Sequence, residues 1–347
     1  MSFLKEKYNI LVIGKTGVGK SSFVNYFLGD KVAKTGTGSP VTERGFHEHP
    51  FELDGFPVTL YDSWGLEADK YMEWMENFSG ELNERGVDKP ATEWFHSVFY
   101  CISAGSHRVE DADIAIVKQL QAEKYPVSVI LTKGDMINEA QEEEMKSAIW
   151  RGLGKVNVIT MSSGGKTRGG VVEPFGLDEI RQAAKDDFFA SIAMRIPDHL
   201  RAILDKGLAD WDKAMENEIK EVDSFNEDEI LGKMESASKK QTLTIKSDLR
   251  YSLVQALQAY DKIMISMDIS TKDIQFAKDK GFWSILDKMG KVVNFVFRIV
   301  AGKEMNAFAL RDMVAKNRKE FKDEMLDQIA KVENKLIATR NRVRNHA

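Results

Sequence analysis

Six short runs of mostly apolar residues punctuate the first 190 residues, and each predicts a β-strand. The runs are Tyr8–Ile13, Gly45–Leu53, Pro57–Tyr61, Ser97–Ser103, Val127–Leu131 and Val156–Thr160. Asp54-Gly55, between the second and third runs, is a hairpin turn signal and predicts that these two strands are antiparallel. The other four runs are separated by longer segments, a pattern typical of buried parallel strands.

Segments with helical periodicity lie between or after these strands. They are Ser21–Leu28, Ala68–Glu84, Glu110–Glu123, Ala140–Trp150 and Leu177–Phe188. This alternation predicts an α/β domain with a doubly wound, mostly parallel six-stranded sheet. Ligands of such sheets bind at the carboxyl ends of the strands, so the residues that follow each strand are the first candidates for a binding site.

The composition changes sharply near Pro197. All seven prolines and 20 of the 25 glycines lie at or before this residue. The segments that follow are long, charged and amphipathic, and they contain almost nothing that is strand-like. We therefore predict two domains, an α/β domain over residues 1–190 and an all-helical domain over residues 191–347.

Long helices are predicted for the second domain, and Pro197 suits the first position of one of them. One apolar stripe follows spacings of three, four and seven residues, which is typical of one face of a long helix. Its members are Leu310, Val314, Phe321, Met325, Ile329, Val332 and Leu336. The expected partner is Glu227–Met264, in a helical hairpin or coiled coil formed within one chain or across a dimer.

Apolar residues dominate the stretch Gly281–Lys303 and leave only a narrow cationic stripe. A helix that is apolar nearly all round is usually buried in its own bundle. A helix with tryptophan and phenylalanine at its edge and basic residues on its polar stripe also suits a membrane interface. We favour burial because interfacial helices usually have a broader polar face.

The chain has 347 residues, of which 43% are hydrophobic and 30% charged, as in soluble globular proteins. No apolar run reaches the roughly 18 residues of a membrane-spanning helix, and no signal peptide is evident before Tyr8. Cys101 lies in a predicted strand and is expected to be a buried, reduced thiol. These features favour a cytoplasmic protein, and the net charge of −5 argues against nucleic-acid binding.

The first strand is followed by a glycine loop, Gly14–Ser21, and then by a helix. This order of strand, loop and helix is that of a phosphate-binding P-loop. The backbone N–H groups of such a loop point into one concavity at a helix N-terminus, where Lys20 reaches the β- and γ-phosphates and Ser21 ligates Mg²⁺. The residues assigned to the nucleotide are Lys15, Thr16, Gly17, Val18, Gly19, Lys20, Ser21 and Ser22.

Two further motifs follow strands of the same sheet. Asp62-Ser63-Trp64-Gly65 follows the third strand, where the aspartate holds Mg²⁺ through a water and the Gly65 N–H contacts a γ-phosphate. Thr132-Lys133-Gly134-Asp135 follows the fifth strand. The Asp135 carboxylate can accept hydrogen bonds from the N1–H and the exocyclic amine of guanine. Adenine presents an acceptor and no amine at these positions. The Lys133 stem can lie along the plane of the base.

A weaker motif, Met161-Ser162-Ser163, follows the sixth strand. The backbone N–H of Ser162 or Ser163 is expected to meet the guanine O6. Serines are common after strands, so this pair gains its meaning from its place after the sixth strand of the same sheet.

In this order, Gly14–Ser21, Asp62–Gly65, Thr132–Asp135 and Ser162-Ser163 resemble the motifs of the translation-factor-related P-loop GTPases. The opening residues are most similar to the septin-like, Toc-like and immunity-related branch, with Era-like GTPases close by. The resemblance covers roughly the first 190 residues.

The resemblance implies GTP/GDP as ligand, Mg²⁺ as cofactor and GTP hydrolysis. It also implies a switch threonine that ligates Mg²⁺, for which Thr42 is a better candidate than Thr35 or Thr37. Lys20, Thr42 and Gly65 are then the groups expected to act on the transferred phosphate.

Two positions depart from the catalytic patterns of this family. Leu66 stands where Ras-like sites have a glutamine that positions water, and Gly17 stands where the Era-like relatives have an asparagine. Hydrolysis is therefore expected to need another group, from this chain or from a second copy or partner. The candidates within the chain are Lys15, Arg44, Glu67, His107 and Arg108.

The sequence thus predicts a Mg²⁺-dependent GTPase, stimulated by a dimer or a partner, whose helical domain reads the nucleotide state. An open alternative is a nucleotide-gated switch or scaffold with negligible hydrolysis, associating with a membrane through residues 281–303. A third hypothesis, an RNA or ribosome factor, is disfavoured by the acidic balance.

Overall fold

The structure is a computed structural model, and it describes residues 8–29, 45–66, 71–167, 170–220, 227–266, 280–291 and 307–346. The chain divides into two compact units, Met1–Arg195 and Ile196–Ala347. The sequence predicts this boundary after residue 190.

The first unit is built on a six-stranded sheet. Its strands are β1 (Tyr8–Gly14), β2 (Phe46–Leu53), β3 (Phe56–Ser63), β4 (Ser97–Ser103), β5 (Val127–Thr132) and β6 (Asn157–Thr160). The order across the sheet is β2-β3-β1-β4-β5-β6. Only β2 and β3 pair antiparallel, through the predicted hairpin, and the other neighbours are parallel. The predicted fold class is confirmed, with β1 at the centre of the sheet.

Helices cover the sheet between the strands. They are α1 (Lys20–Leu28), α2 (Tyr71–Glu84), α3 (Asp111–Ala122) and α4 (Glu139–Leu153). The inner strands β1, β4 and β5 are buried along almost their whole length, as their continuous apolar runs predict. The hydrophobic core therefore packs against the parallel strands. The polar side chains of the predicted motifs follow the carboxyl ends of these strands.

The sequence did not predict one element of the first unit, a two-stranded antiparallel hairpin. Strands β7 (Gly165–Thr167) and β8 (Gly170–Val172) pair with each other directly after the serines that follow β6. Each has only three residues and no alternation of apolar and polar positions, so periodicity gives no signal for them.

Two predictions about helices near Pro197 were wrong. We expected a helix that ends at Phe188 and another that begins at Pro197, but α5 runs from Leu177 to Ile219 with Pro197 inside it. Proline removes one helical hydrogen bond, to the carbonyl four residues earlier. The buried residues at intervals of four on this helix, including Ile192, Ile196 and Leu200, outweigh that loss.

The second unit is helical, as predicted. After the end of α5 it contains α6 (Glu227–Ser266), α7 (Lys280–Lys291) and α8 (Ala307–His346). All seven members of the apolar stripe on α8 are buried.

The sequence predicted only Glu227–Met264 as the partner of α8, but α8 also forms ion pairs with α5. The pairs are Arg311–Glu216 at 2.7 Å, Arg318–Asp212 at 2.7 Å, Lys322–Asp205 at 3.0 Å and Glu333–Arg201. Residue numbers rise along α8 as they fall along α5, so the two helices are antiparallel. Helix α6 also packs on α5, where Trp211 Nε1 donates to Ser238 Oγ at 3.1 Å.

Helix α7 is the described part of the apolar stretch Gly281–Lys303, of which residues 292–303 lie outside the described residues. Ile285 and Met289 are buried, while Trp283 is 40% exposed. Within the part of the chain that the structure describes, no helix has the length and apolar character needed to cross a bilayer.

Candidate functional site

The glycine loop joins the end of β1 to the start of α1, in the predicted context. Gly19, the residue before the helix, has a left-handed φ of 103°. Lys20 is only 6% exposed, and its Nζ donates to the carbonyl oxygens of Gly14 at 3.0 Å and Lys15 at 3.1 Å. Burial lowers the pKa of the Lys20 ammonium, and the nearby Asp62 carboxylate opposes this shift. A buried cation thus lies under the loop, with Ser21 and Ser22 in the first turn of α1 behind it.

The loop after β5 is tied to the glycine loop. Thr132 Oγ1 donates to the carbonyl oxygen of Val18, and Lys133 Nζ donates to that of Gly17 at 2.8 Å. Lys133 itself has a left-handed backbone, with φ of 56°. The structure therefore brings Gly17, Val18, Thr132 and Lys133 together, as the motif order predicts.

Asp135 and Ser162 meet at the outer end of this edge. Ser162 Oγ donates to Asp135 Oδ1 at 2.7 Å, which fixes the direction of the carboxylate. The backbone N–H of Ser162 donates to the Phe175 carbonyl oxygen at 3.3 Å. That N–H is therefore engaged, and of the two serines Ser163 remains the candidate for the guanine O6.

Asp62 has the environment expected of a cation ligand. It is 1% exposed at the end of β3, and its Oδ1 is buried without a hydrogen-bond partner. Burial raises the pKa of this carboxyl to about 6, while Lys20 and His47 oppose the rise. A buried carboxylate oxygen with no partner is costly unless a cation or water satisfies it, so the residues present fit Mg²⁺. Thr42, the other expected ligand with Ser21, lies outside the described residues.

The segment after β3 lies directly on the glycine loop. The Thr16 N–H donates to the Leu66 carbonyl oxygen at 3.1 Å, and the Leu66 N–H donates to that of Gly14 at 3.3 Å. A Cβ on Gly65 would lie 2.7 Å from Thr16 Cα, so only glycine allows this approach. The Thr16 amide is thereby engaged by Leu66 in this structure, and the assignment of Thr16 to the nucleotide stays a prediction.

Leu66 is 4% exposed and belongs to the hydrophobic core, together with Trp74 and Phe78. The leucine at this position is therefore a packing residue, which agrees with its inability to orient a water. Trp64 also packs at this flank, with its ring centroid 6.4 Å from that of Trp74.

Two of the candidate catalytic cations, Lys15 and Arg108, form ion pairs near the N-terminus of α3. Lys15 Nζ lies 2.8 Å from Glu110 Oε2 and 3.0 Å from Asp113 Oδ1, at the N-terminus of α3. Arg108 is largely exposed and lies 3.5 Å from Glu110. In this structure Lys15 balances the charge of Asp113, which is only 4% exposed. Arg44 and Glu67 lie outside the described residues.

Cys101 is buried in β4, as predicted, and burial raises the pKa of its thiol to about 12. Across the described ranges, no group of three or more His, Cys, Asp or Glu side chains is arranged to hold a metal ion.

Residues 9–133 match the family model described as 50S ribosome-binding GTPase. Among curated proteins, the chain is 29% identical over 145 residues to the tRNA modification GTPase MnmE of Clostridioides difficile, which is 41% of this chain and 28% of that protein. It is 26% identical over 176 residues to the GTPase Der of Kosmotoga olearia, or 51% of this chain and 38% of that protein. The chain therefore spans less than half the length of these relatives.

Among solved structures, Toc33 of Arabidopsis thaliana in complex with Mg²⁺ and GMPPNP is similar to this chain. It aligns with a TM-score of 0.40 and 18% sequence identity, over 55% of this chain and 86% of that one.

Proposed function

We propose that this chain binds GTP with Mg²⁺ and hydrolyses it to GDP, on the premise that its N-terminal unit is a G domain of the P-loop GTPase family. The observation that carries this proposal is the meeting of three motifs at one edge of the sheet. Lys133 and Thr132 bond to the glycine loop, Asp135 is aimed by Ser162, and Asp62 has an unpartnered oxygen near Lys20.

The roles follow from the chemistry of each group. The amides from Gly17 to Ser22 and the Lys20 ammonium bind the phosphates at the N-terminus of α1. Asp135 accepts two hydrogen bonds from guanine, Lys133 lies along the base, and Ser163 donates to O6. A site with a carboxylate aimed at donors rejects adenine, which supplies neither of the two guanine donors to that carboxylate.

Mg²⁺ would be held by the Ser21 hydroxyl, by Thr42 and, through a water, by Asp62. When bound, it neutralises charge on the phosphate oxygens. The chain itself contributes the buried Lys20 cation and the amides of the glycine loop to phosphate binding. The Gly65 N–H is the proposed contact to the γ-phosphate, and Gly65 lies on the segment that packs against Thr16.

The water-positioning group is proposed to come from outside the described residues or from a second copy or partner. The buried Leu66 and the ion pairs of Lys15 support this view, because a leucine cannot orient a water and the Lys15 ammonium is engaged by Glu110 and Asp113. The same observations favour a second candidate function, a nucleotide-gated switch with negligible hydrolysis.

GTP turnover per molecule, titrated against protein concentration in the presence of Mg²⁺, tests hydrolysis and separates these two candidates. A rate that rises with concentration supports copies that complete one another's sites. A group supplied in trans is worth about 10³–10⁵ in rate, so the rise should be large. Tight binding with a flat, very slow rate would instead support the switch.

For the second unit we propose a role in reading the nucleotide state, by docking, by dimerisation or at a membrane surface through residues 281–303. The 40% exposure of Trp283 supports an external contact on α7, while the buried Ile285 and Met289 hold that helix in its own unit.

A further inference from the structure

The hairpin of β7 and β8 returns the chain to the base-reading edge at Phe175. Ser162 and Phe175 form an isolated antiparallel bridge. The Phe175 N–H donates to the Ser162 carbonyl oxygen at 3.0 Å, and the Phe175 carbonyl oxygen accepts from the Ser162 N–H at 3.3 Å. A Cβ on Gly176 would lie 2.7 Å from the Thr160 carbonyl oxygen. The returning segment is therefore pressed against the end of β6.

The ring of Phe175 reaches the loop that carries Asp135. A Cβ on Gly134 would lie 3.0 Å from Phe175 Cζ and 2.6 Å from Thr160 Cγ2, so the ring packs on bare backbone. The Gly134 N–H also donates to the Met161 carbonyl oxygen at 2.8 Å. Gly134 is thus fixed by two contacts, the Phe175 ring against its backbone and the hydrogen bond of its N–H to Met161 after β6.

The two contacts of Phe175 converge on one carboxylate. Its backbone holds Ser162, whose hydroxyl donates to Asp135 Oδ1 at 2.7 Å. Its ring holds Gly134, the residue before Asp135 in the chain. Phe175 is 42% exposed, so its packing serves this loop more than the hydrophobic core.

We propose that Phe175 is a positioning residue for guanine selection, holding the Asp135 carboxylate in the direction that accepts both guanine donors. The inference rests on the proposed function, because it assigns a role within the same nucleotide site. It adds a residue 40 positions beyond Asp135 that none of the nucleotide motifs contains.

The test compares GTP with inosine triphosphate, which lacks only the exocyclic amine of guanine. Both nucleotides keep the phosphates, the sugar and O6, so the ratio of their affinities isolates the bond from the amine to Asp135. A hydrogen bond to a charged group should make this ratio about 10–100-fold for the unsubstituted protein. Phe175→Ala should reduce it to about threefold or less, measured by competition with a fluorescent GDP in Mg²⁺.

A matched control is Val171→Ala, on the same hairpin, where the side chain is 70% exposed and the ratio should not change. Phe175→Leu keeps an apolar side chain but loses the far end of the ring, so it should lower the ratio even where the alanine variant folds poorly. A purely structural role would weaken both nucleotides equally, and an unchanged ratio in both variants would overturn the inference. Equal affinity of the unsubstituted protein for GTP and ATP would overturn the proposed function instead.

Discussion

His96 is a buried histidine whose hydrogen bonds require the neutral form. Its Nδ1 accepts from the Asn9 N–H at 3.1 Å, and a backbone hydrogen bond to Ala91 is its other polar contact. Burial, together with the nearby Arg195 guanidinium, lowers the pKa of this imidazole to about 3 from its usual 6.5. The stabilisation from this site is present above pH 6.5 and is lost as the pH falls toward 3, because the unfolded chain binds the proton first.

We therefore expect the free energy of unfolding of the first unit to fall by about 2 kcal/mol between pH 7.5 and pH 5 through this group. Urea unfolding at the two pH values measures the fall, and His96→Asn should remove most of it. Other groups titrate in both proteins, so the difference between them isolates His96. An equal pH dependence in both would contradict this assignment.

At the scale of elements, the contact between the segment after β3 and the glycine loop depends on one glycine. Gly65→Ala would place a Cβ 2.7 Å from Thr16 Cα and 2.9 Å from Thr16 N, so the segment must move away from the loop. Because Gly65 is expected to sense the γ-phosphate, the preference for GTP over GDP and the turnover should both fall by about tenfold or more. GDP binding should stay near its original value.

Gly80→Ala is the matched control for Gly65→Ala. Gly80 lies in α2 with no atom within 4 Å of its would-be Cβ, so alanine there should leave nucleotide binding unchanged and stabilise the helix by about 1 kcal/mol. Nucleotide titrations of the three proteins make the comparison. Normal turnover in Gly65→Ala would exclude a switch that closes on Thr16.

Within the helical unit, burial should matter more than the ion pairs between α5 and α8. Met325 is fully buried, and Met325→Ala should cost about 2–5 kcal/mol of stability. Arg318, seven residues earlier on the same helix, has a side chain 32% exposed and pairs with Asp212. Arg318→Gln should cost about 1 kcal/mol or less, because water screens such pairs. Denaturant unfolding followed by circular dichroism measures the stability of both variants. An Arg318→Gln variant less stable than Met325→Ala would contradict the expectation that burial matters more than the ion pair.

The sequence predicts best where one local rule decides the structure. Continuous apolar runs place β1, β4 and β5 within a residue of their observed ends, because burial on both faces leaves no alternative pattern. The rule for proline failed at Pro197, since the buried stripe of α5 outweighs one lost hydrogen bond. The pairing of α8 with α5 was missed because a stripe predicts which face is buried, and not which helix covers it.

The residues of the candidate site likewise fall into those that a local motif predicts and those that only the fold brings together. The proposed roles of the loop glycines, Lys20, Asp62 and Asp135 follow from phosphate, cation and base chemistry at fixed spacings, so a single sequence suffices to predict them. Phe175 acts through a tertiary contact with Gly134, and Lys15 finds its partners on α3. Neither contact leaves a pattern in the sequence, so both required the fold.

At the scale of the whole molecule, the proposed role of the helical unit is to respond to the nucleotide. Amide hydrogen exchange of α8 should then differ between protein saturated with GDP and protein saturated with a non-hydrolysable GTP analogue, since a unit that reads the state must change its local stability. The Met325→Ala variant provides a reference for how fast the amide hydrogens of α8 exchange when the helical unit is destabilised. Identical exchange along Ala307–His346 in the two nucleotide states would argue against coupling through α8.

Guanine selection at this edge of the sheet is tested by equilibrium binding of GTP and ATP to nucleotide-free protein in Mg²⁺. GTP should bind at least about 100-fold more tightly than ATP, because adenine offers the Asp135 carboxylate neither of the two donors that guanine supplies. Asp135→Asn should abolish the preference while leaving the phosphate-binding loop in place. Equal affinities for GTP and ATP, or an Asp135→Asn variant that binds GTP normally, would contradict the account.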